Sequence, residues 1–289
     1  MVAPTPQQLA LLTRRERFAF RFCDLINRDG GWLKRASHWF LRHVGVAWVD
    51  FCTRHLVVPD GLETMRALRP PRGLLIVANH RSFFDMYLIS LVLLKHTELL
   101  QRIYFPVRTE FFYQTLSGLF VNGIMSAWSM YPPVLRQPER NEFNKYTMAR
   151  VNELLEQPGN VIGFHPEGTR NKTDDPYTLL PAQPGVGQII MAARPTVLPI
   201  FLLGMGNRVG RQIKSNFDRT GRKIIIVFGA PMDLERYYAE PARLRTYMEV
   251  AKHVRAVLME LGQRERALRA QLEGTPPPDA KPDGSDQAA

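Results

Sequence analysis

Short apolar runs alternate with longer segments of helical periodicity along most of the chain. Apolar runs bounded by turn residues indicate buried strands, and apolar residues at three- and four-residue spacing indicate helices. The alternation predicts an α/β sheet with helices on both faces. The predicted strands are Gly73–Ala78, Arg102–Val107, Asn160–Phe164, Val197–Leu203 and Lys223–Gly229, and the predicted helices are Asp85–Lys95, Glu142–Gln157, Gly185–Ala193 and Pro241–Leu272.

The N-terminal section, residues 1–60, has a different pattern. Apolar and aromatic residues recur at helical spacing from Trp32 to Phe51, and the opposite face carries basic residues. Such a helix is typical of membrane–water interfaces, where indole rings prefer to lie. The alternative is a helix whose apolar face packs on the domain core. The basic-face residues are Lys34, Arg35, His38 and Arg42.

The rest of the chain divides into a domain and a tail. Residues 61–272 hold all the predicted strands and are expected to form one domain, whereas residues 273–289 are predicted to be a disordered tail. The glycine- and arginine-rich segment Gly204–Arg222 is predicted to be a basic loop. The segment Phe111–Leu135 has no formal charge, but its polar residues and its proline pair favour a buried or interfacial segment over a membrane span.

Charge narrows the classes of partner. The 289-residue chain has a formal net charge of +11, which favours phosphates, anionic lipid surfaces, nucleic acid or acyl carrier protein. We expect no nucleic acid, because the sequence contains no zinc-finger spacing and no RNA-recognition aromatic motif. The two cysteines and the scattered histidines show no disulfide framework or metal-ligand spacing, so no metal is predicted.

The first candidate for chemistry follows the predicted strand Gly73–Ala78. A turn from this strand into the next helix can bring the His80 imidazole and the Asp85 carboxylate together. A carboxylate bound to one ring nitrogen leaves the other free as a base. A capping box with Ser82 as N-cap and Asp85 at the third helical position is the alternative. It would explain Asp85 but not His80.

The second candidate is the sequence HPEGTR at residues 165–170, which follows another predicted strand. Gly168 permits a tight turn and a close approach of the backbone to a ligand. The planar guanidinium of Arg170 suits a phosphate group. The alternative is a surface ion pair between Glu167 and Arg170. His165 either replaces an aromatic core ring or adds a hydrogen bond near the site.

Together the two motifs resemble those of the glycerolipid acyltransferase family, whose best-known members are the lysophosphatidic acid acyltransferases. The His-x-x-x-x-Asp motif ends at Asp85, and the Pro-Glu-Gly-Thr-Arg motif begins at Pro166. The segments Thr196–Ile200 and Ile224–Pro231 resemble later strand blocks of the family. The resemblance covers roughly residues 60–260. It implies a mixed sheet flanked by helices and an N-terminal helical membrane anchor.

The resemblance implies transfer of a fatty acyl group from an acyl thioester, acyl-CoA or acyl-ACP, to a hydroxyl of a lysophospholipid. The favoured acceptor is lysophosphatidic acid, giving phosphatidic acid. The alternative is an acyltransferase or transacylase that acts on another lysolipid or a hydroxylated lipid. An alternative from a different functional class is a non-catalytic membrane or nucleic-acid-binding protein. The predicted catalytic residues are His80 and Asp85, and the predicted substrate-binding residues are Glu167, Gly168, Thr169, Arg170 and Arg136.

Arg136 is included among the substrate-binding residues because the second conserved block of the family carries an arginine that helps to hold the acceptor phosphate. The corresponding run, Gly123–Met130, has no arginine, and Arg136 and Arg140 are the nearest substitutes. Backbone N–H groups of the Gly168 turn are candidates to stabilise the oxyanion. No cofactor is expected beyond the acyl thioester. The expected partners are membrane lipids and acyl-CoA or acyl carrier protein, with peripheral or monotopic attachment on the cytoplasmic face and an open oligomeric state.

Overall fold

Six strands form the central sheet of the computed structural model, which describes residues 2–274 apart from the side chain of Val209. The sheet order is β1-β8-β7-β2-β6-β3, and β4 and β5 form a separate parallel pair. In the central sheet β7 and β8 are antiparallel, whereas the other neighbouring strands are parallel. The strands are β1 (Val57–Asp60), β2 (Leu74–Ala78), β3 (Arg102–Tyr104), β4 (Val107–Arg108), β5 (Pro133–Val134), β6 (Asn160–Phe164), β7 (Thr196–Leu203) and β8 (Ile224–Phe228).

Helices flank this sheet, which confirms the predicted mixed α/β fold. The long helix α13 packs against α10, β7 and β8. A π-helical segment, Leu41–Gly45, joins α3 to α4, and a 3₁₀ turn occupies Pro138–Arg140. The α-helices are α1 (Pro6–Ala10), α2 (Arg14–Ile26), α3 (Trp32–Phe40), α4 (Val46–Thr53), α5 (Leu62–Arg66), α6 (Asp85–His96), α7 (Thr109–Phe112), α8 (Leu116–Ser126), α9 (Glu142–Leu155), α10 (Pro184–Ala193), α11 (Val209–Phe217), α12 (Glu235–Tyr238) and α13 (Leu244–Glu273).

Two strand predictions differ from the structure because of proline. The predicted strand Arg102–Val107 is divided into β3 and β4, and Phe105 and Pro106 lie between them. Proline has no N–H to donate to a strand neighbour. The strand β1 was not predicted, because it has only four residues and includes Pro59. It is an edge strand paired with β8, the kind of position that tolerates proline.

The prediction of a loop throughout Gly204–Arg222 is wrong, because α11 occupies the middle of this segment. The glycine and arginine content suggested a loop, but arginine, lysine and glutamine favour helices. Gly210 lies in the helix, and no atom stands near the position that a Cβ would occupy there. The buried side chain of Asn216 anchors the end of the helix to the backbone of Phe51 and His55.

The predicted helix Trp32–Phe51 forms as α3, the π segment and α4, but one residue of its basic face is buried. The Lys34 side chain is only 1% exposed, and its Nζ donates to Asn27 Oδ1 at 2.8 Å and to the carbonyl oxygen of Ile103 at 2.7 Å. The exposed residues are instead largely apolar. They are Trp32, Trp39, Val44, Trp48 and Phe51, which we call the aromatic stripe.

The uncharged segment Phe111–Leu135 contains the end of α7, the helix α8 and the strand β5, and α8 has one buried side. Leu116, Phe120 and Ile124 of α8 are exposed, whereas Asn122 is buried. No helix in residues 2–274 combines the length and the apolar character that crossing a bilayer requires. Of the predicted tail, residues 275–289 lie outside the described residues, and Glu273 is the last residue of α13.

Candidate active site

Two histidines meet at the carboxyl edge of the sheet. His80 follows β2 and His165 follows β6, and these strands are parallel neighbours. Parallel strands deliver the residues after their carboxyl ends to the same edge, where α/β proteins place ligands. The two imidazole rings are stacked, with ring centroids 3.9 Å apart and an angle of 8° between their planes. The Nδ1 atom of His165 lies 3.0 Å from the carbonyl oxygen of Ala78.

The backbone of His80 is held on both sides, by the second motif and by the residue that follows it. Its N–H donates to Glu167 Oε1 at 2.8 Å, and its carbonyl oxygen accepts from the Asn171 N–H at 2.7 Å. The adjacent Asn79 side chain bonds to both the N–H and the carbonyl oxygen of Leu202 in β7. Three strands therefore fix the position of the turn that carries His80.

Asp85 is fully buried and faces His80. Its Oδ2 accepts from the N–H groups of Arg81 and Ser82, each at 2.7 Å, and lies 3.4 Å from His80 Nδ1. The reciprocal half of the predicted capping box is absent, because Ser82 Oγ accepts from the Phe84 N–H instead. The Asp85 carboxylate thus holds the turn and faces the imidazole at the same time. Because Asp85 faces Nδ1 of His80, the Nε2 atom of His80 is left for a substrate.

Burial and local charge set the protonation of this pair. Burial, with the positive charges of Arg170 and Arg108, lowers the pKa of His80 to about 4. Burial raises the pKa of Asp85 to about 6, against the lowering effect of the bonds from the turn N–H groups. Burial and the neighbouring His80 lower the pKa of His165 to about 3. Both rings are therefore neutral near pH 7, as a proton acceptor must be.

Glu167 is nearly buried, so the alternative of a surface ion pair with Arg170 is wrong. Besides the His80 N–H, its carboxylate accepts from the Leu180 N–H at 2.9 Å. Burial raises the pKa of Glu167, and those two backbone bonds oppose the rise. Glu167 therefore ties the turn that carries His80 to the loop that follows its own motif, and direct contact between Glu167 and an acceptor remains a prediction.

The Gly168 turn is tight, as predicted, but its own N–H is already engaged. Gly168 has φ of +65°, a left-handed conformation that favours glycine. Its N–H donates to the carbonyl oxygen of His165 at 2.9 Å, so it is not available to an oxyanion. Its carbonyl oxygen accepts from the Arg108 guanidinium. Thr169 is exposed beside it.

Two arginines, Arg170 and Arg108, act electrostatically on His80, and a third, Arg136, acts on Arg108. Burial lowers the pKa of Arg108 in β4, and the positive charges of Arg136 and Arg170 lower it further. The predicted substitute Arg140 is committed elsewhere: it binds the buried carboxylate of Glu16 and the carbonyl oxygen of Leu11. Like-charged side chains brought together in this way suit an anion such as a phosphate.

Sequence reasoning missed Arg108, although a signal was present. Arg108 follows the predicted strand Arg102–Val107, just as His80 and Glu167 follow the strands before them. The same strand-exit argument that selected those two residues applies to Arg108. The phosphate-binding arginine was instead predicted from the second block of the family, which indicated Arg136.

Comparison with protein families gives the assignment. The family model described as Acyltransferase matches residues 61–203, a segment that includes both motifs and Arg108. This segment belongs to the acyltransferase family. The match confirms the resemblance drawn from the two motifs and supports acyl transfer as the general activity.

Two further comparisons concern the whole chain. Among solved structures, it is similar to the 1-acyl-sn-glycerophosphate (LPA) acyltransferase PlsC from Thermotoga maritima, at 17% identity and a TM-score of 0.41. That similarity covers 83% of this chain and 88% of the other. No curated protein matches the chain.

Proposed function

We propose that this acyltransferase transfers a fatty acyl group from acyl-CoA or acyl-ACP to the hydroxyl of lysophosphatidic acid, giving phosphatidic acid. His80 removes the proton from the acceptor hydroxyl through Nε2. The hydroxyl oxygen bonds to the thioester carbonyl carbon, the carbon–sulfur bond breaks, and the proton passes from His80 to the leaving thiolate. Asp85 orients the imidazole and stabilises its charged form, the division of roles found in serine hydrolases.

The observation that carries this proposal is a histidine that faces a buried carboxylate at the edge of the sheet, with Arg170 and Arg108 close enough to influence its charge. The carboxylate of Asp85 lies 3.4 Å from Nδ1, a separation that can shorten when substrate binds. Arg108, Arg136 and Arg170 supply the positive charge that a phosphate monoester needs. A thioester is already activated, so the mechanism requires no nucleophile from the enzyme.

The arginine cluster favours lysophosphatidic acid over other lysolipids. The phosphate monoester of lysophosphatidic acid carries more negative charge than the phosphodiester of a lysolipid with a larger headgroup. Planar guanidinium groups bind such an anion with two parallel hydrogen bonds. Arg170, Arg136 and the additional Arg108 are therefore proposed as phosphate ligands, with Thr169 beside them.

We further propose that the aromatic stripe of α3 and α4 rests in a membrane interface. A helix packed on the domain core would turn these rings inward, whereas Trp32, Trp39 and Trp48 are 68%, 59% and 59% exposed. A groove of about 400 Å³ between α3 and α8 continues the surface, with Phe40 and Ile124 in its almost wholly apolar lining. Exposed indole rings with basic neighbours suit the lipid headgroup region.

The test is acyl transfer by the detergent-solubilised full chain. Long-chain acyl-CoA and acyl-ACP are offered with lysophosphatidic acid, lysophosphatidylglycerol, lysophosphatidylcholine and monoacylglycerol. We expect the highest kcat/KM with lysophosphatidic acid, and loss of product in H80A but not in the matched control H253A, whose histidine lies on α13. An R108Q variant should raise KM for lysophosphatidic acid more than for monoacylglycerol. Equal rates in H80A and wild type would overturn the assignment of the base.

A further inference from the structure

Helix α11 presents basic and aromatic side chains on its exposed surface. Arg208, just before the helix, is exposed, as are Arg211, Lys214 and Phe217 within it. Lys214 and Phe217 are three residues apart, so they are neighbours on the helix surface. A short helix of this kind places two cations and a large ring side by side in solvent, and nothing in the proposed chemistry uses them.

Aromatic contacts join α11 to the aromatic stripe. The ring of Phe217 meets the ring of Phe51 with centroids 5.0 Å apart, and Phe51 lies next to Trp48 at 6.5 Å. All three rings are about half exposed or more. The Arg54 guanidinium lies 5.8 Å from the centre of the Phe51 ring. The stripe therefore does not end at α4 but continues onto α11, with positive charge on either side of the junction.

Two asparagines fasten α11 between this surface and the catalytic turn. At the end of the helix Asn216 accepts from the His55 N–H at 2.9 Å and donates to the Phe51 carbonyl at 3.1 Å. Before the helix, Asn207 Oδ1 accepts from the Phe83 N–H at 3.0 Å and from the Ser82 hydroxyl at 3.3 Å. One short element thus connects the exposed rings to the turn that holds His80.

We propose that α11 and the end of α4 form a docking surface for anionic lipid headgroups. Arg208, Arg211 and Lys214 bind the phosphates, while Phe51 and Phe217 enter the interfacial layer. Docking through this element places the catalytic turn at the surface from which a lipid acceptor arrives. The proposal rests on the membrane contact proposed above for the aromatic stripe.

The combination of side chains favours a lipid surface over an acidic protein. Basic residues alone would suit either partner, because both are anionic. Three large rings exposed together with basic residues are the composition of an interfacial element, in which rings lie at headgroup depth and cations lie among phosphates. Each basic residue near an anionic membrane strengthens binding by about fivefold.

The test compares the full chain with R211Q/K214Q and R211E/K214E in vesicle co-sedimentation. One set of vesicles is phosphatidylcholine alone, and the other is equal parts phosphatidylcholine and phosphatidylglycerol. We expect R211Q/K214Q to weaken binding to the anionic vesicles by about 25-fold, R211E/K214E to weaken it further, and neither to change binding to phosphatidylcholine. The matched control R245E/K252E makes the same change of charge on exposed positions of α13 and should bind like wild type.

Three outcomes would overturn the proposal. The first is wild-type binding of R211E/K214E to anionic vesicles, and the second is an equal loss in R245E/K252E, which would indicate a general effect of net charge. The third is unchanged vesicle binding with loss of transfer from acyl-ACP but not from acyl-CoA, which would make α11 a carrier-protein site. Vesicle binding is measured without turnover, so failure of the proposed acyl transfer would leave this result interpretable. Unchanged melting temperatures exclude loss of folding.

Discussion

The turn that carries His80 and the N-terminal helices α3–α4 place polar and apolar groups in opposite ways. At the turn, the charged side chains of Asp85 and Glu167 are buried, and each accepts hydrogen bonds from two backbone N–H groups. Along α3–α4 large rings stand in solvent while the ammonium group of Lys34 is buried among acceptors. At the turn, buried polar groups fix the local backbone, whereas α3–α4 expose apolar groups to solvent.

This difference separates two causes of an unusual burial pattern. A buried charge is tolerated where the fold supplies hydrogen bonds for it, and it then fixes the surrounding backbone. An exposed apolar stripe has no such compensation within the chain and indicates a surface that contacts something else. The turn is therefore explained by its own contacts, whereas the aromatic stripe needs a partner, which we propose to be a membrane.

The largest expected effect comes from D85N. The amide oxygen can keep the bonds from Arg81 and Ser82, so the turn should remain folded, and a thermal melt should change little. The amide cannot stabilise a charged imidazole, so kcat should fall by about 10²–10⁴. Steady-state acyl transfer and a melting curve on the same preparation check both expectations.

The companion variant D85A separates geometry from chemistry. It removes the acceptor for both N–H groups, so it should also lose about 1–3 kcal/mol of unfolding free energy. If D85N kept the wild-type kcat, Asp85 would serve only to hold the turn.

Buried strands and their exits were predictable from the sequence, because apolar runs and chain order carry that information. The β2 and β6 runs identified the edge at which His80 and Glu167 meet. The sequence could not decide between the two possible partners of the Glu167 carboxylate at that edge. Whether Glu167 pairs with Arg170 or binds backbone N–H groups depends on the loop around Leu180, which is brought close only by the fold.

The sequence also did not show which face of a helix is buried. Amphipathic spacing from Trp32 to Phe51 defined two faces but did not show which one meets the core. The answer depends on the oxygen atoms that accept hydrogen bonds from Lys34 in the fold: that of Asn27 at the end of the preceding helix, and those of Ile103 and Ser129, which are far from Lys34 in sequence. A local pattern contains no information about such acceptors.

K34M tests the inward face of the N-terminal helices. Methionine fills a similar volume but leaves the carbonyl of Ile103 and the Asn27 oxygen without a donor. Unsatisfied buried acceptors are costly, so the free energy of unfolding should fall by about 3 kcal/mol. Chemical denaturation measures the loss. The exposed neighbour provides the matched control, because R35M should stay within about 0.5 kcal/mol of wild type.

W39Q/W48Q tests the outward face of the same helices and should give the reverse result. The unfolding free energy should change by no more than about 0.5 kcal/mol per site, because both rings are exposed. Vesicle binding should weaken by about tenfold per ring. The control L244Q/M248Q replaces exposed apolar residues of α13 and should bind normally. Destabilisation without loss of binding would show that the stripe packs within the protein.

The smallest expected effect concerns the pH dependence of the catalytic pair. His80 works as a base only when neutral, and its lowered pKa keeps it neutral well below pH 6.5. Asp85, with a pKa of about 6, must also be ionised. The acid limb of kcat/KM should therefore lie below pH 6.5. R170Q removes a positive charge near His80 and so raises the pKa of His80, but the limb should stay near the pKa of Asp85, because Asp85 has the higher pKa of the two.

H165F tests the ring that stacks on His80. His165 has a pKa of about 3 and is uncharged throughout the relevant range, so its replacement should leave the limb where it is. Phenylalanine also keeps an aromatic ring against His80, so kcat should remain within about threefold of wild type, a change of less than 1 kcal/mol in the barrier. A limb that moves in R170Q would mean that His80, and not Asp85, sets it, and a limb that moves in H165F would mean that the stacked imidazole carries charge while Asp85 titrates.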